Sequence, residues 1–193
     1  MIAGLVLAAG ESSRMGRDKA LLLYRGRTFL EAIVRTLDAG GIKRIAVVLG
    51  HHAEEIRQKT RLEGAEAVVN EHYRLGQTSS LQAGLAALDG PALEAVLVCL
   101  VDHPTVHAET VRALVGAFEP PILDVVIPSY GGERGHPVLI ARQLFPELRA
   151  LGPGIGANSI IRKYRDTTRI LEVNDPGVVT DVDDPKTYQD LIR

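Results

Sequence analysis

The sequence predicts an α/β protein, one domain over residues 1–193, built on a mostly parallel mixed sheet with helices on both faces. Three observations carry that expectation. Short runs rich in β-branched residues alternate with amphipathic segments of helical period, the pattern of successive strand–helix–strand units. The most apolar run, Ala95 to Val101, has no polar alternation, as expected of a central strand covered on both sides. Glycine-rich or acidic stretches follow strand ends, where open α/β sheets bind their ligands.

In chain order, Ile2 to Leu7 reads as a buried strand that runs into the loop Ala8-Ala-Gly-Glu-Ser-Ser-Arg-Met-Gly-Arg-Asp-Lys19. Thr28 and Glu31 have the spacing of a capping box, and Phe29, Leu30, Ile33, Val34 and Leu37 then share a helical face until Gly40-Gly41 stops it. Lys43 to Leu49 reads as a strand. Ala53 to Leu62 reads as a polar helix with the exposed charge run Arg57 to Arg61, and Ala65 to Asn70 as a short strand. Ser79 with Gln82 is a second capping signature, ahead of a helix lined by Leu81, Leu85 and Leu88 and closed by Gly90.

Beyond the central strand, Thr105 is the expected cap of a helix carrying Val111, Leu114, Val115 and Phe118. Asp124 to Pro128 and Pro137 to Ala141 read as strands flanking the turn Tyr130-Gly-Gly-Glu133, with Pro137 at a strand start where its missing N–H does least harm. Ala157 to Tyr164 reads as a helix and Ile170 to Asn174 as a strand. Asp184 followed by Pro185 opens a last helix ending near Ile192.

Composition narrows the function. A chain of 193 residues buries roughly 70% of its unfolded surface. Twenty-two basic against twenty-four acidic residues leave a net charge of −2, which argues against a duplex-wide nucleic-acid interface. Three Phe, five Tyr and no Trp offer little for stacking successive bases. The single cysteine, Cys99, rules out an internal disulfide and a thiolate-rich metal site, and its apolar neighbours make it a core residue. The start Met1-Ile-Ala-Gly lacks a basic segment, and no apolar run reaches the roughly 18 residues of a membrane span. The expectation is a cytoplasmic protein, with no nucleic-acid and no membrane partner.

The first loop is the most informative stretch. Gly10 and Gly16 let backbone N–H groups turn toward an anion, Ser12 and Ser13 add hydroxyls, and Arg14, Arg17 and Lys19 add charge. That chemistry suits a polyphosphate. The loop is not a Walker A sequence, since Arg17 follows Gly16, and it is not a G-x-G-x-x-G fingerprint. A triphosphate also needs a divalent cation, and Mg²⁺ usually takes one or two carboxylates besides phosphate oxygens and water. Asp102, after the central strand, and Asp183, before the last helix, are the candidate metal ligands. His51, His52 and His72 read as solvated loop histidines rather than a metal set, and no Ser-His-Asp arrangement marks a covalent nucleophile.

Leu7-Ala-Ala-Gly-x-Ser-x-Arg-Met-Gly-x-x-Lys19 closely resembles the signature of nucleotidyltransferases that join a nucleoside monophosphate to a phosphorylated acceptor. Further stretches follow the same family in order. Gly76 with Ser79-Ser-Leu-Gln-Ala-Gly84 is similar to its nucleobase loop, and Val101-Asp-His-Pro104 to its metal-binding element. Asp181-Val-Asp-Asp-Pro185, with Tyr188, is similar to its closing motif. Gly135-His-Pro-Val-Leu139 resembles the branch that makes nucleotide derivatives of molybdopterin, in particular the molybdenum cofactor cytidylyltransferases. Gly152-Pro-Gly-Ile-Gly-Ala-Asn158 departs from that branch, lacking the acid and the arginine of its Gly-Asp-x-Gly-Ala-Arg-like stretch.

The resemblance implies a Rossmann-like fold and Mg²⁺-dependent transfer from a nucleoside triphosphate, CTP for this branch, to a phosphorylated small-molecule acceptor of molybdopterin type. It implies that Arg14 holds the β- and γ-phosphates, Lys19 stabilises charge at the α-phosphate, and Asp102 and Asp183 hold the metal. Ala8, Ala9, Gly10 and Ser80 would frame base and ribose, and Arg134 and His136 the acceptor. It also implies a downstream contact with a molybdoenzyme or chaperone. Guanylyl transfer, a sugar-phosphate acceptor and a nucleotide-binding module without turnover are the alternatives.

Overall fold

In the computed structural model, which describes every residue from Met1 to Arg193, eight of the ten strands join edge to edge in one sheet. The elements are β1 (Ile2–Ala8), β2 (Leu23–Tyr24), β3 (Arg27–Thr28), α1 (Phe29–Ala39), β4 (Ile45–Leu49), α2 (Ala53–Lys59), β5 (Ala65–Val69) and α3 (Gln77–Leu88). They continue as β6 (Ala95–Leu100), α4 (Ala108–Ala117), β7 (Val125–Tyr130), β8 (Glu133–Arg134) and β9 (Val138–Ala141). The chain closes with α5 (Phe145–Arg149), α6 (Asn158–Lys163), β10 (Thr168–Glu172) and α7 (Pro185–Ile192).

The sheet order is β10-β7-β9-β6-β1-β4-β5, with β8 paired to β7 and with β2–β3 forming a separate hairpin. β1 pairs in parallel with β4 and β6, β4 with β5, and β7 with β10; β9 runs antiparallel to both β6 and β7. This is the mostly parallel mixed sheet that the alternation of elements predicted.

Side-chain alternation along β1 explains why both faces are covered. Leu5 and Leu7 pack with Val48, Leu81, Leu85 and Leu88, so α3 lies on one face. Val6 and Ala8 pack with Val47, Leu49, Leu30, Ile33, Val34 and Leu37, which puts α1 on the other. Leu5 and Val6 are both wholly buried, as a strand in the middle of a two-faced sheet must be. Cys99 lies in the second of these cores, and burial alone raises its thiol pKa.

Register then positions the loops. Leu7 pairs with Leu100 across β1 and β6, so the glycine loop and Asp102 leave the sheet side by side. The Val182 amide donates to the Asp102 carbonyl at 2.9 Å, which brings the Asp181–Asp183 stretch to the same edge.

The first capping box forms as read: the Glu31 amide donates to Thr28 Oγ1 at 3.2 Å and the Thr28 amide to Glu31 Oε2 at 2.9 Å. The second does not. α3 starts at Gln77 behind Gly76, whose φ of 99° suits only glycine. The Ser79 hydroxyl donates to carbonyls of His72 and Gly76, while Gln82 Nε2 reaches the carbonyls of Leu148, Arg149 and Leu151. Gln82 thus closes the C-terminus of α5 rather than the start of its own helix.

Thr105 is not the cap of α4 either. That helix begins at Ala108, and Asp175 Oδ2, 68 residues from His107 in sequence, accepts from the His107 amide at 2.8 Å and from the Thr110 hydroxyl at 2.6 Å. α2 ends at Lys59, where Thr60 turns extended, and β10 begins two residues earlier than expected. The β2–β3 hairpin and α5 were not anticipated. The hairpin turns on Arg25 and Gly26, both at positive φ as a two-residue turn requires.

Candidate active site

The loops after β1 and β6 and before α7 enclose a cleft of about 330 Å³. Ala8, Ala9, Gly10, Arg14, Lys19, Ser80, Asp102 and Asp183 all line it, so eight of the ten residues singled out from the sequence meet there. The backbone N–H groups from Gly10 to Arg14 donate no hydrogen bond within the chain. Ser12, at φ 50°, reverses the loop, and its hydroxyl accepts from the Lys19 amide at 3.2 Å. The result is a row of free donors closed off by a cation, the arrangement that binds anionic oxygens.

The charges are tightly interlocked. Lys19 Nζ contacts Asp183 Oδ1 and lies 3.3 Å from Asp102 Oδ2, and Arg14 lies 2.8 Å from Asp183 Oδ2. The Lys19 side chain is only 11% exposed, so this ammonium is committed to the cleft. Its hydrogen bond, reinforced by the charges of Lys19 and Arg14 against partial burial, holds the Asp183 carboxyl below its ordinary range. Asp102 Oδ1 is buried without a hydrogen-bond partner, and His103 Nε2, at 3.8 Å, is too distant to serve. Two carboxylates converging on one cation, with a buried oxygen unsatisfied, are a donor set that fits a hard divalent ion.

Arg134 and His136 line a second cavity of about 440 Å³, which shares Leu7, Gln77 and Leu100 with the first. Its walls are largely apolar, with Ile127, Val138 and Ile161 among them. Gly135 is fixed by close approach, because a Cβ there would lie 1.9 Å from the Val178 carbonyl oxygen. The His136 amide donates to that same carbonyl at 2.8 Å.

Burial, with the neighbouring His103, lowers the His136 pKa to about 4, so its imidazole is neutral at pH 7 and brings no charge to the cavity. The charge comes from Arg134 and from Arg162 of α6, a residue that the sequence motifs did not mark. Arg162 lies one helical turn beyond Asn158, so a cation does reach this wall although Gly152 to Asn158 contains none. The Asn158–Arg162 spacing was the available signal.

The depressed His136 pKa has a measurable consequence. Between pH 6.5 and 4 the unfolded chain binds the proton more readily than the folded one, so stability present above pH 6.5 is lost as pH falls through that window. Urea denaturation in chelator-treated buffer is expected to show an acid loss of at most about 3 kcal/mol from this group. His136→Gln should flatten that part of the profile; an unchanged slope would mean that the imidazole is not held neutral.

Two expectations need correction. Arg17 does not line the cleft with the other loop cations; its guanidinium sits 5.9 Å over the ring of Tyr188. Tyr188 in turn exchanges hydrogen bonds with the backbone of Leu23, tying α7 to the hairpin. His51 and His52 are not simply solvated: both present Nδ1 to the carboxylate of Asp18. Asn70, also unmarked by any motif, donates from Nδ2 to the hydroxyls of Ser79 and Ser80 at 3.0 Å and so fixes the start of α3 against the cleft.

A family model described as the MobA-like NTP transferase domain matches residues 4–168. A protein of Paenarthrobacter nicotinovorans named nicotine blue oxidoreductase is 34% identical over 189 residues, 94% of this chain and 92% of that one. A probable molybdenum cofactor guanylyltransferase of Opitutus terrae is 36% identical over 107 residues, 55% of this chain and 50% of that one. Among solved structures, Rv0371c of Mycobacterium tuberculosis H37Rv has a TM-score of 0.87 at 32% identity, covering 99% of this chain and 96% of its own. A structure of Rv0371c in complex with manganese has a TM-score of 0.82 at 29% identity, covering 99% and 97%.

Proposed function

Since the chain belongs to the MobA-like NTP transferase family, we propose that it transfers a cytidylyl group from CTP to a phosphomonoester of the molybdopterin class, with Mg²⁺ as its cation. The observation that carries this reading is the interlocked set of Lys19, Arg14, Asp102 and Asp183 beside the free amides of Gly10 to Arg14. An acceptor phosphate oxygen attacks the α-phosphorus; the new P–O bond forms as the bond to the bridging oxygen breaks, and pyrophosphate leaves. No protein nucleophile is required, so the protein contributes positioning and charge stabilisation.

In this scheme Arg14 and the loop amides hold the β- and γ-phosphates. Lys19, at the junction of the loop with Asp102 and Asp183, draws off charge that develops at the α-phosphate. Mg²⁺ held by Asp102 and Asp183 would neutralise triphosphate oxygens. The manganese complex of the mycobacterial relative supports a divalent ion in this family. Ala8, Ala9, Gly10 and Ser80 frame base and ribose, and the small alanines favour a pyrimidine. In the neighbouring cavity Arg134 and Arg162 hold the acceptor phosphate, while neutral His136 offers a hydrogen bond.

Pyrophosphate release in the presence of acceptor, measured with each nucleoside triphosphate, tests the donor. CTP is expected to bind more tightly than GTP in calorimetric titration; the reverse order would point to the guanylyl transfer named for the Opitutus relative. The Paenarthrobacter name supplies a competing redox reading, which substrate oxidation without pyrophosphate release would favour. On the acceptor side, Arg134→Ala and His136→Ala are expected to raise the acceptor KM and leave CTP affinity unchanged, as for loss of acceptor binding alone. Weakened CTP binding in both variants would place this turn on the donor and remove the main support for a molybdopterin acceptor.

A further inference from the structure

Beside the cleft, which Asp18 helps line, a second set of donor atoms converges. His52 Nδ1 lies 2.9 Å from Asp18 Oδ2, and His51 Nδ1 lies 3.5 Å from Asp18 Oδ1. All three donors fall within 4.8 Å of one another. His51 Nδ1 is shielded from solvent and has no hydrogen-bond partner, an unusual state for a polar atom. Asp18, whose side chain is 11% exposed, stands at the N-cap of the short 3-10 turn Lys19–Leu21, but its carboxylate makes no capping bond and accepts from no backbone N–H. Consecutive side chains of an extended strand point to opposite sides; here His52 takes the left-handed conformation, φ 49° and ψ 32°, and the two rings stack with centroids 3.7 Å apart. Both imidazoles therefore present the same nitrogen to the same carboxylate.

We propose that Asp18, His51 and His52 form a binding site for a first-row transition ion of the Zn²⁺ class, separate from the Mg²⁺ ligands Asp102 and Asp183. Two imidazole nitrogens and one carboxylate oxygen are ligands of Zn²⁺, Co²⁺ and their neighbours rather than of Mg²⁺. Ligands on a tetrahedral ion with bonds of about 2.0–2.2 Å lie about 3.3–3.6 Å apart. The His51–Asp18 spacing of 3.5 Å matches, and the 2.9 Å hydrogen bond between His52 and Asp18 would have to open by about 0.5 Å to admit the ion. A three-residue set leaves one position to water. The ion would clip the turn between β4 and α2 to the phosphate loop directly before Lys19, beside the bond from the His51 amide to the Ala9 carbonyl at 3.1 Å.

Titration of the full chain with Zn²⁺ alone, under saturating Mg²⁺, tests this. One equivalent should bind to the wild type and equally to Asp102→Asn. Affinity should fall at least about 100-fold in His52→Asn and in His51→Ala, since even outer-shell partners of a metal are worth about 10- to 100-fold. Asparagine tolerates the left-handed backbone at residue 52, and His51→Ala decides the matter if His52→Asn does not fold. Co²⁺ should give tetrahedral visible absorption in the wild type that both histidine variants lose. Absence of Zn²⁺ binding, wild-type affinity in both histidine variants, or loss in Asp102→Asn would overturn the assignment.

Discussion

Lys19→Ala is expected to lower turnover by about two to three orders of magnitude, the scale for losing one charge-stabilising group at a reacting centre. The side chain bridges Asp102 and Asp183, and no other cation in the cleft touches both. The fold should survive, since Asp183 keeps Arg14, but with a loss of up to about 3 kcal/mol, because Asp102 is left without a cation at a largely buried position. A second readout separates catalysis from structure. Removing an ammonium that competes for the two carboxylates should strengthen Mg²⁺ binding even as the rate falls. A folded variant with unchanged turnover would sink the role assigned to Lys19.

Asp102→Asn is expected to abolish metal-dependent turnover and to leave the melting temperature within a few degrees of the wild type. The amide keeps the carboxylate's volume. Its oxygen can still accept from Lys19 Nζ, and its NH₂ would replace the unsatisfied Oδ1 opposite His103. His103 Nδ1 faces the Gly177 carbonyl at 3.3 Å and so carries the proton, leaving Nε2 to accept. The loss is the negative charge that a hard cation requires. Wild-type activity at limiting Mg²⁺ would make Asp102 a structural residue instead.

Much of this site was legible because its parts are local and sit at strand ends. The apolar runs Ile2 to Leu7 and Ala95 to Val101 announced two central strands, and the loop after each of them had to lie at the carboxyl edge of a parallel sheet. The Thr28–Glu31 box was readable for the same reason, since both partners lie within one turn. Features that join distant segments were not. Gln82 looked like half of a capping box but serves carbonyls of Leu148 to Leu151, and Asp175 took the role assigned to Thr105. Arg162 gave no motif, only a position one turn from a loop whose own sequence had lost its cation. The Asp18–histidine contact depends on how closely the β4–α2 turn approaches the glycine loop, which no single segment encodes.

Leu7, Gln77 and Leu100 form a wall common to both cavities, and the proposed assignment makes that wall decide kinetics as well as geometry. On the proposed assignment, donor and acceptor sit on its two sides and both substrates must be seated at once, so initial-rate lines should intersect rather than run parallel. The joined product then occupies both cavities as one tethered molecule, each half raising the effective concentration of the other. Such a product is expected to be held more tightly than either substrate, to compete with both, and to leave last. Its departure rather than bond formation would limit steady turnover, and a protein that takes the product directly from this edge would act as an accelerator of the enzyme.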